Sequence, residues 1–175
     1  MMNLSRLESS GLFERNVPRY TSYPTATHFS NAMQADVMSD WLTALDPTTS
    51  ISLYFHIPFC RRLCWFCACR TQGLDDDSRL QRYLSALQQE MRLDAHYLPE
   101  GVQVGRSHLG GGTPTLLVPQ QLDSLLSAID ENFEPQKERE FSVEIDPNEI
   151  DSERLDVLVN RGMNRVSIGL QDFDP

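Results

Sequence analysis

With 175 residues, 40% of them apolar, the chain is long enough for one domain with a real core. Its 15 basic residues against 25 acidic ones leave a net charge of −10, the wrong sign for a protein that grips nucleic acid through phosphates. No apolar run approaches the roughly 20 residues of a membrane span, and the N-terminus has no stretch of signal-peptide length, so the sequence reads as cytoplasmic, where thiols stay reduced.

Residues 1–30 lack a clear period and carry the polar-aromatic string Pro18-Arg19-Tyr20-Thr21-Ser22-Tyr23-Pro24-Thr25-Ala26. Its prolines predict an extended arm. A helix is predicted next, with Met33, Val37, Met38, Trp41, Leu42 and Leu45 on one face, ended by Pro47. Residues 1–49 are thus read as an arm and helix, and 50–175 as a second region.

From residue 51 the period changes to two. Ile51, Leu53, Phe55 and Ile57 alternate with Ser52, Tyr54 and His56, which predicts a strand. A helix is predicted from about Asp77 to Tyr97, and a weaker strand from Val104 to Leu109, stopped by three glycines. Pro119 opens a further helix as a first-turn proline. Phe141 to Asp146 alternates again, a short helix carries Leu155, Leu158 and Val159 with Gly162 as its stop, and Val166 to Gln171 forms a fourth strand.

Three strand–helix units followed by a bare fourth strand are the order of a parallel α/β fold with right-handed crossovers. The reading is a partial (βα) TIM-like barrel, incomplete after its fourth strand, since a closed barrel takes about 250 residues. Three of the strands have one polar face. If the apolar faces meet the helices, the polar faces line a cavity. The alternative is an antiparallel sheet with one face in water.

All four cysteines fall in Cys60-Arg61-Arg62-Leu63-Cys64-Trp65-Phe66-Cys67-Ala68-Cys69. The loop follows the first strand through Pro58 and Phe59, at the carboxyl end where such folds keep their chemistry. Thiolates select zinc, Cu(I) or iron–sulfur clusters. Cys60, Cys64 and Cys67 can hold three irons of a cubane and leave the fourth open; Cys69, one residue further on, is awkwardly placed for the same cube. The rival is zinc, whose structural sites pair two more widely separated knuckles.

The spacing Cys60-x3-Cys64-x2-Cys67, with Phe66 before the third cysteine, resembles the signature of radical S-adenosylmethionine enzymes. Pro18 to Thr25, Tyr54 to Cys60, Cys67-Ala68-Cys69, Gly110 to Thr115, Glu144 to Pro147 and Gly169 to Phe173 are similar to one branch, the oxygen-independent coproporphyrinogen III oxidases. The resemblance runs from about residue 17 to 173. It implies a radical-SAM-type barrel with a 4Fe-4S cluster on Cys60, Cys64 and Cys67, and S-adenosylmethionine held by Tyr54, Gly111, Gly112, Thr113, Glu144 and Gln171, with Phe66 against the adenine. It further implies anaerobic heme biosynthesis: oxidative decarboxylation of two propionates of coproporphyrinogen III, giving protoporphyrinogen IX, through a 5′-deoxyadenosyl radical. The expected protein is a monomer fed by an electron donor, with no nucleic-acid or membrane partner. Leu109 and Ala68 depart from the residues common in the branch, and neither removes a ligand. By the same resemblance the chain covers only the N-terminal part of such an enzyme and is expected to be inactive alone.

The alternative within the family is a heme chaperone without decarboxylase activity. That branch typically lacks the arm and Cys69. His56 is either a cofactor neighbour or a satisfied inward histidine. Arg61 and Arg62 either steer propionates or sit in a solvated loop.

Overall fold

The structure, a computed structural model, describes residues 24–30, 34, 36–64 and 71–169. Phe66, Cys67, Cys69, Gln171, Met33 and the arm up to Tyr23 therefore lie outside the described residues. By compactness the chain divides into units 1–37 and 38–175. In the first, a tight turn at Ala26–His28 closes with the His28 N–H on the Thr25 carbonyl at 2.9 Å.

Helix α1, Asp36–Thr43, crosses the boundary between the units and is shorter than predicted. The chain leaves it four residues before Pro47 and turns at Asp46, whose carboxylate accepts from the Thr48 N–H at 2.8 Å. None of its residues is buried, so the predicted stripe of Met38 and Trp41 covers no core here.

The rest is strand and helix in turn. β1 is Ser50–Ile57, followed by the short β2, Phe59–Cys60, and β3, Gln72–Gly73. Helix α2 is Asp77–Tyr97, β4 Gln103–Gly111, α3 Pro119–Asn132, β5 Pro135–Ile145, α4 Ser152–Asn160 and β6 Arg165–Ile168. Strands β1, β4, β5 and β6 form one sheet in that order, every pair parallel. This is the arrangement of a partial (βα) barrel and excludes the antiparallel alternative.

Local chemistry sets the helix ends. Asp76 caps α2 by accepting from the Ser78 N–H at 2.8 Å, and Asp151 caps α4 by accepting from the Arg154 N–H at 2.8 Å. Pro119 opens α3, as predicted. Gly162 stops α4 with φ +86°, a left-handed conformation, and Met163 N–H closes back on the Leu158 carbonyl at 2.9 Å.

The core lies on one face of the sheet. Phe55 and Ile57 of β1, Val104 and Leu109 of β4, and Phe141, Val143 and Ile145 of β5 meet Leu80, Leu84 and Met91 of α2, Leu122, Leu125 and Ile129 of α3, and Leu158 of α4. β6 breaks the expected pattern. Val166 and Ile168 are 41% and 56% exposed, because β6 is the sheet's edge and no helix among the described residues covers it. Nor do the glycines stop β4: the strand runs on through Gly110 and Gly111. No helix among the described residues is long and apolar enough to cross a membrane.

One half-buried acid gives a stability prediction. Asp94 of α2 shares a hollow with Leu53, Phe55, Met91 and Phe133, and burial raises its pKa above the ordinary carboxylate value. The folded state therefore keeps that proton to higher pH than the unfolded chain. Stability falls as pH rises through this window, and the cost of the ionised form is complete above the folded pKa. Asp94→Asn should raise the neutral-pH melting temperature, with a gain kept below about 1 kcal/mol by the carboxyl's exposure. Thermal melts should show the two proteins converging below the ordinary carboxylate pKa.

Candidate functional site

The face of the sheet away from the helices is polar. On β1 it presents Ser52, Tyr54 and His56; on β4, Arg106 and His108; on β5, Ser142 and Glu144. Strand register puts Tyr54, His108 and Ser142 on one rung. Tyr54 hydroxyl and His56 Nδ1 are 3.0 Å apart. The Tyr54 and His108 rings stack at 5.4 Å between centroids and 11° between planes. His108 Nδ1 lies 2.5 Å from Ser142 Oγ, and Nε2 lies 3.2 Å from Glu144 Oε1. The other carboxylate oxygen of Glu144 accepts from the Gly111 N–H at 2.9 Å. Towards the amino ends of the strands an open hollow of ≈ 330 Å³ is lined by Ser52, Arg106, Glu140 and Arg165 among others.

Beyond the carboxyl ends of β1 and β4 the cysteine loop meets the glycine turn. β2 pairs parallel with β3, Phe59 opposite Gln72 and Cys60 opposite Gly73. Leu74 N–H donates to the Cys60 carbonyl at 3.0 Å, and Arg79 donates to the Gln72 side chain at 2.5 Å. The base of the loop is therefore clasped. Gly112 N–H donates to the Ile57 carbonyl and Thr113 N–H to the Phe59 carbonyl, both at 2.8 Å. Thr113 hydroxyl donates to Cys60 Sγ at 3.4 Å. Glycine is required here by space. A Cβ on Gly112 would lie 2.5 Å from the Phe59 carbonyl oxygen and 2.9 Å from Cys60 Sγ. On Gly111, at φ +119°, it would lie 2.7 Å from the Ile57 carbonyl oxygen.

Phe59 anchors the loop from below. Its ring is buried and meets Tyr83 edge-on at 5.5 Å. Burial, and then the charge of Glu90, hold the Tyr83 phenol above its ordinary pKa. It stays protonated and donates to the His56 carbonyl. Arg61 pairs with Glu149 at 3.4 Å and reaches the Leu116 carbonyl at 3.5 Å, so it is tied to neighbouring loops rather than merely solvated. Arg62 is exposed.

Of the sequence-predicted site residues, Tyr54, Cys60, Gly111, Gly112, Thr113 and Glu144 gather at this end of the sheet, with Cys60 buried. Cys64 is exposed on the loop. Phe66, Cys67 and Gln171 lie outside the described residues, so the predicted cysteine triad is described only at Cys60 and Cys64. Sequence reasoning placed Ser142 on a polar strand face and missed His108, for which the signal was Gly105: a glycine inside a strand marks a bulge, and a bulge re-aims the residues after it.

Comparison with known proteins agrees with this geometry. The radical SAM superfamily matches residues 54–175. The chain is 51% identical over all its 175 residues to the oxygen-independent coproporphyrinogen III oxidase of Paracoccus denitrificans, and 52% identical to that of Cereibacter sphaeroides; in each case it spans 39% of the relative's length. The solved structure of coproporphyrinogen III oxidase from Escherichia coli, described as a radical SAM enzyme, superposes with a TM-score of 0.82 at 37% identity, over 99% of this chain and 37% of that one. The chain belongs to the radical SAM superfamily, whose members use a 4Fe-4S cluster and S-adenosylmethionine.

Proposed function

We propose that the chain carries the cluster-binding and cofactor-binding part of an oxygen-independent coproporphyrinogen III oxidase. The reaction is oxidative decarboxylation of two propionate side chains of coproporphyrinogen III to the vinyl groups of protoporphyrinogen IX, a step of anaerobic heme biosynthesis. Residues 1–49 serve as arm and helix, and 50–175 as the first half of the barrel. Cys60, Cys64 and Cys67 hold the 4Fe-4S cluster. Tyr54, Phe66, Gly111, Gly112, Thr113, Glu144 and Gln171 hold S-adenosylmethionine. The protein works in the cytoplasm as a monomer, on electrons from a separate donor.

The observation that carries this reading is the convergence of Cys60, the glycine turn and Glu144 in contacts of 2.8–3.4 Å. The fit to the cluster and to S-adenosylmethionine rests on this chemistry. A buried thiol suits a soft metal centre. Backbone without side chains at 111 and 112 lets the turn close against Ile57, Phe59 and Cys60, and the Glu144 carboxylate can accept from an ammonium. Bound together, the cluster and its partner supply hydrogen-atom abstraction. The protein contributes orientation and exclusion of water: Glu144 is held at both oxygens, and Cys60 is covered by Thr113. The heme-chaperone alternative has no such support, since the relatives above are named as oxidases.

The test is anaerobic reconstitution with iron and sulfide, followed by electron paramagnetic resonance of the reduced protein. A cubane signal that changes on addition of S-adenosylmethionine is expected. Bound zinc without iron and labile sulfide, or a signal indifferent to the cofactor, overturns the reading.

A further inference from the structure

We propose that His108 is the positioning residue for Glu144, fixing that carboxylate to receive the amino group of S-adenosylmethionine. The proposal rests on the reading of Glu144 given above and deepens it.

The bulge at Gly105, where the consecutive residues Ile51 and Ser52 of β1 pair with Val104 and Arg106, turns His108 onto the polar face at the centre of the sheet. There the ring is gripped on three sides. Tyr54 stacks on its face at 5.4 Å, Ser142 Oγ lies 2.5 Å from Nδ1, and Glu144 Oε1 lies 3.2 Å from Nε2. With Nε2 donating to Glu144, the ring holds one carboxylate oxygen in place, and the Ser142 hydroxyl holds the ring at Nδ1. Gly111 N–H occupies the other oxygen at 2.9 Å. A carboxylate has about four lone-pair sites, so two remain for an incoming ammonium.

Gly110 carries an independent mark of this contact. A Cβ there would lie 2.8 Å from His108 Nε2 and 2.9 Å from the Glu144 carboxyl carbon. The histidine–glutamate contact thus sits directly over a residue that has no side chain. His108 and Glu144 side chains are 32% and 41% exposed. Half-exposed groups of this kind need an external constraint to keep one rotamer, and the stacking and the serine supply it.

The experiment measures S-adenosylmethionine affinity by equilibrium dialysis on anaerobically reconstituted protein, with iron and sulfide content as a control. His108→Phe keeps the stack on Tyr54 and removes both hydrogen bonds. It should weaken binding by at least about tenfold, the size of one lost hydrogen bond to a charged group, with the cluster fully loaded. His108→Gln restores a donor at the Nε2 position and should recover most of that loss. Adding His108→Phe to Glu144→Gln should cost little beyond Glu144→Gln alone, since the histidine acts through the carboxylate. Binding by His108→Phe within about twofold of wild type overturns the proposal, as does a glutamine variant no better than phenylalanine, or full additivity in the double variant. If His108→Phe does not load a cluster, Ser142→Ala decides between the outcomes: a several-fold loss supports the proposal and unchanged affinity overturns it. A wild-type protein that loads its cluster and ignores S-adenosylmethionine instead strikes the functional reading beneath.

Discussion

Gly112→Ala should leave the sheet folded and abolish cluster assembly, with iron and labile sulfide after reconstitution falling by at least about tenfold. The added Cβ would lie 2.5 Å from a backbone oxygen of Phe59 and 2.9 Å from Cys60 Sγ. Neither neighbour is the far end of a flexible side chain, so the turn or the cysteine must move. If the turn moves, the bonds from Gly112 N–H to Ile57 and from Thr113 N–H to Phe59 break. If Cys60 moves, its thiol leaves Thr113. Overpacking of this kind costs on the order of 1–3 kcal/mol, several times less than a typical domain's whole stability, so the damage stays local. Gly162→Ala is the matched control. It also forces strain, at φ +86°, but a Cβ there meets nothing within 4 Å. It should lower the melting temperature and leave cluster loading intact. A Gly112→Ala protein that loads iron like wild type would separate the turn from the cluster site altogether.

The contrast between those glycines also explains what the sequence made legible. Gly162 could be placed as a helix stop because a 3.6-residue pattern ends just before it. Helices α2 and α3 were likewise readable, their apolar positions repeating over many turns with a cap or proline at the start. β1 was readable because its alternation is unbroken. β4 was only half readable. The bulge at Gly105 shifts parity, so Val104 and Ser107 both face the helices although three residues apart, and a one-residue slip exchanges the faces of everything beyond it. His108 was hidden for that reason. The first part of β5, Pro135 to Glu140, was missed because Lys137, Glu138, Arg139 and Glu140 give no apolar signal, and only its two ends, Pro135 and Glu140, pair with β4. β2 and β3 are two residues each, too short for any period. Tyr54, Cys60, Gly111, Gly112, Thr113 and Glu144 could be singled out from residue type and spacing, which do not depend on register, while bulges and edges are fixed by contacts far along the chain.

Phe59→Ala should be the most destabilising single change near the site, and one whose effect on the cluster exceeds its effect on the fold. Its ring is 4% exposed and packs edge-on against Tyr83, so truncation loses burial, an aromatic pair and the packing around the resulting cavity. The expected cost is about 3–5 kcal/mol, or roughly 6–20 °C in melting temperature for a chain of this size. The cavity opens beside Tyr83, whose hydroxyl holds the His56 carbonyl, and directly before Cys60. The clasp of β2 on β3 is only two residues a side, and its hydrogen bonds lose the buried ring that seats them. Leu122→Ala provides the comparison: Leu122 is fully buried on α3, a helix that takes no part in that clasp, and its loss costs a similar 2–5 kcal/mol, on the order expected for a buried leucine. Measured well below both melting temperatures, Leu122→Ala should load iron and sulfide nearly as wild type does, and Phe59→Ala should not. Equal loading by the two variants would mean that Phe59 contributes stability alone, and that the cysteine loop keeps its geometry without the ring beneath it.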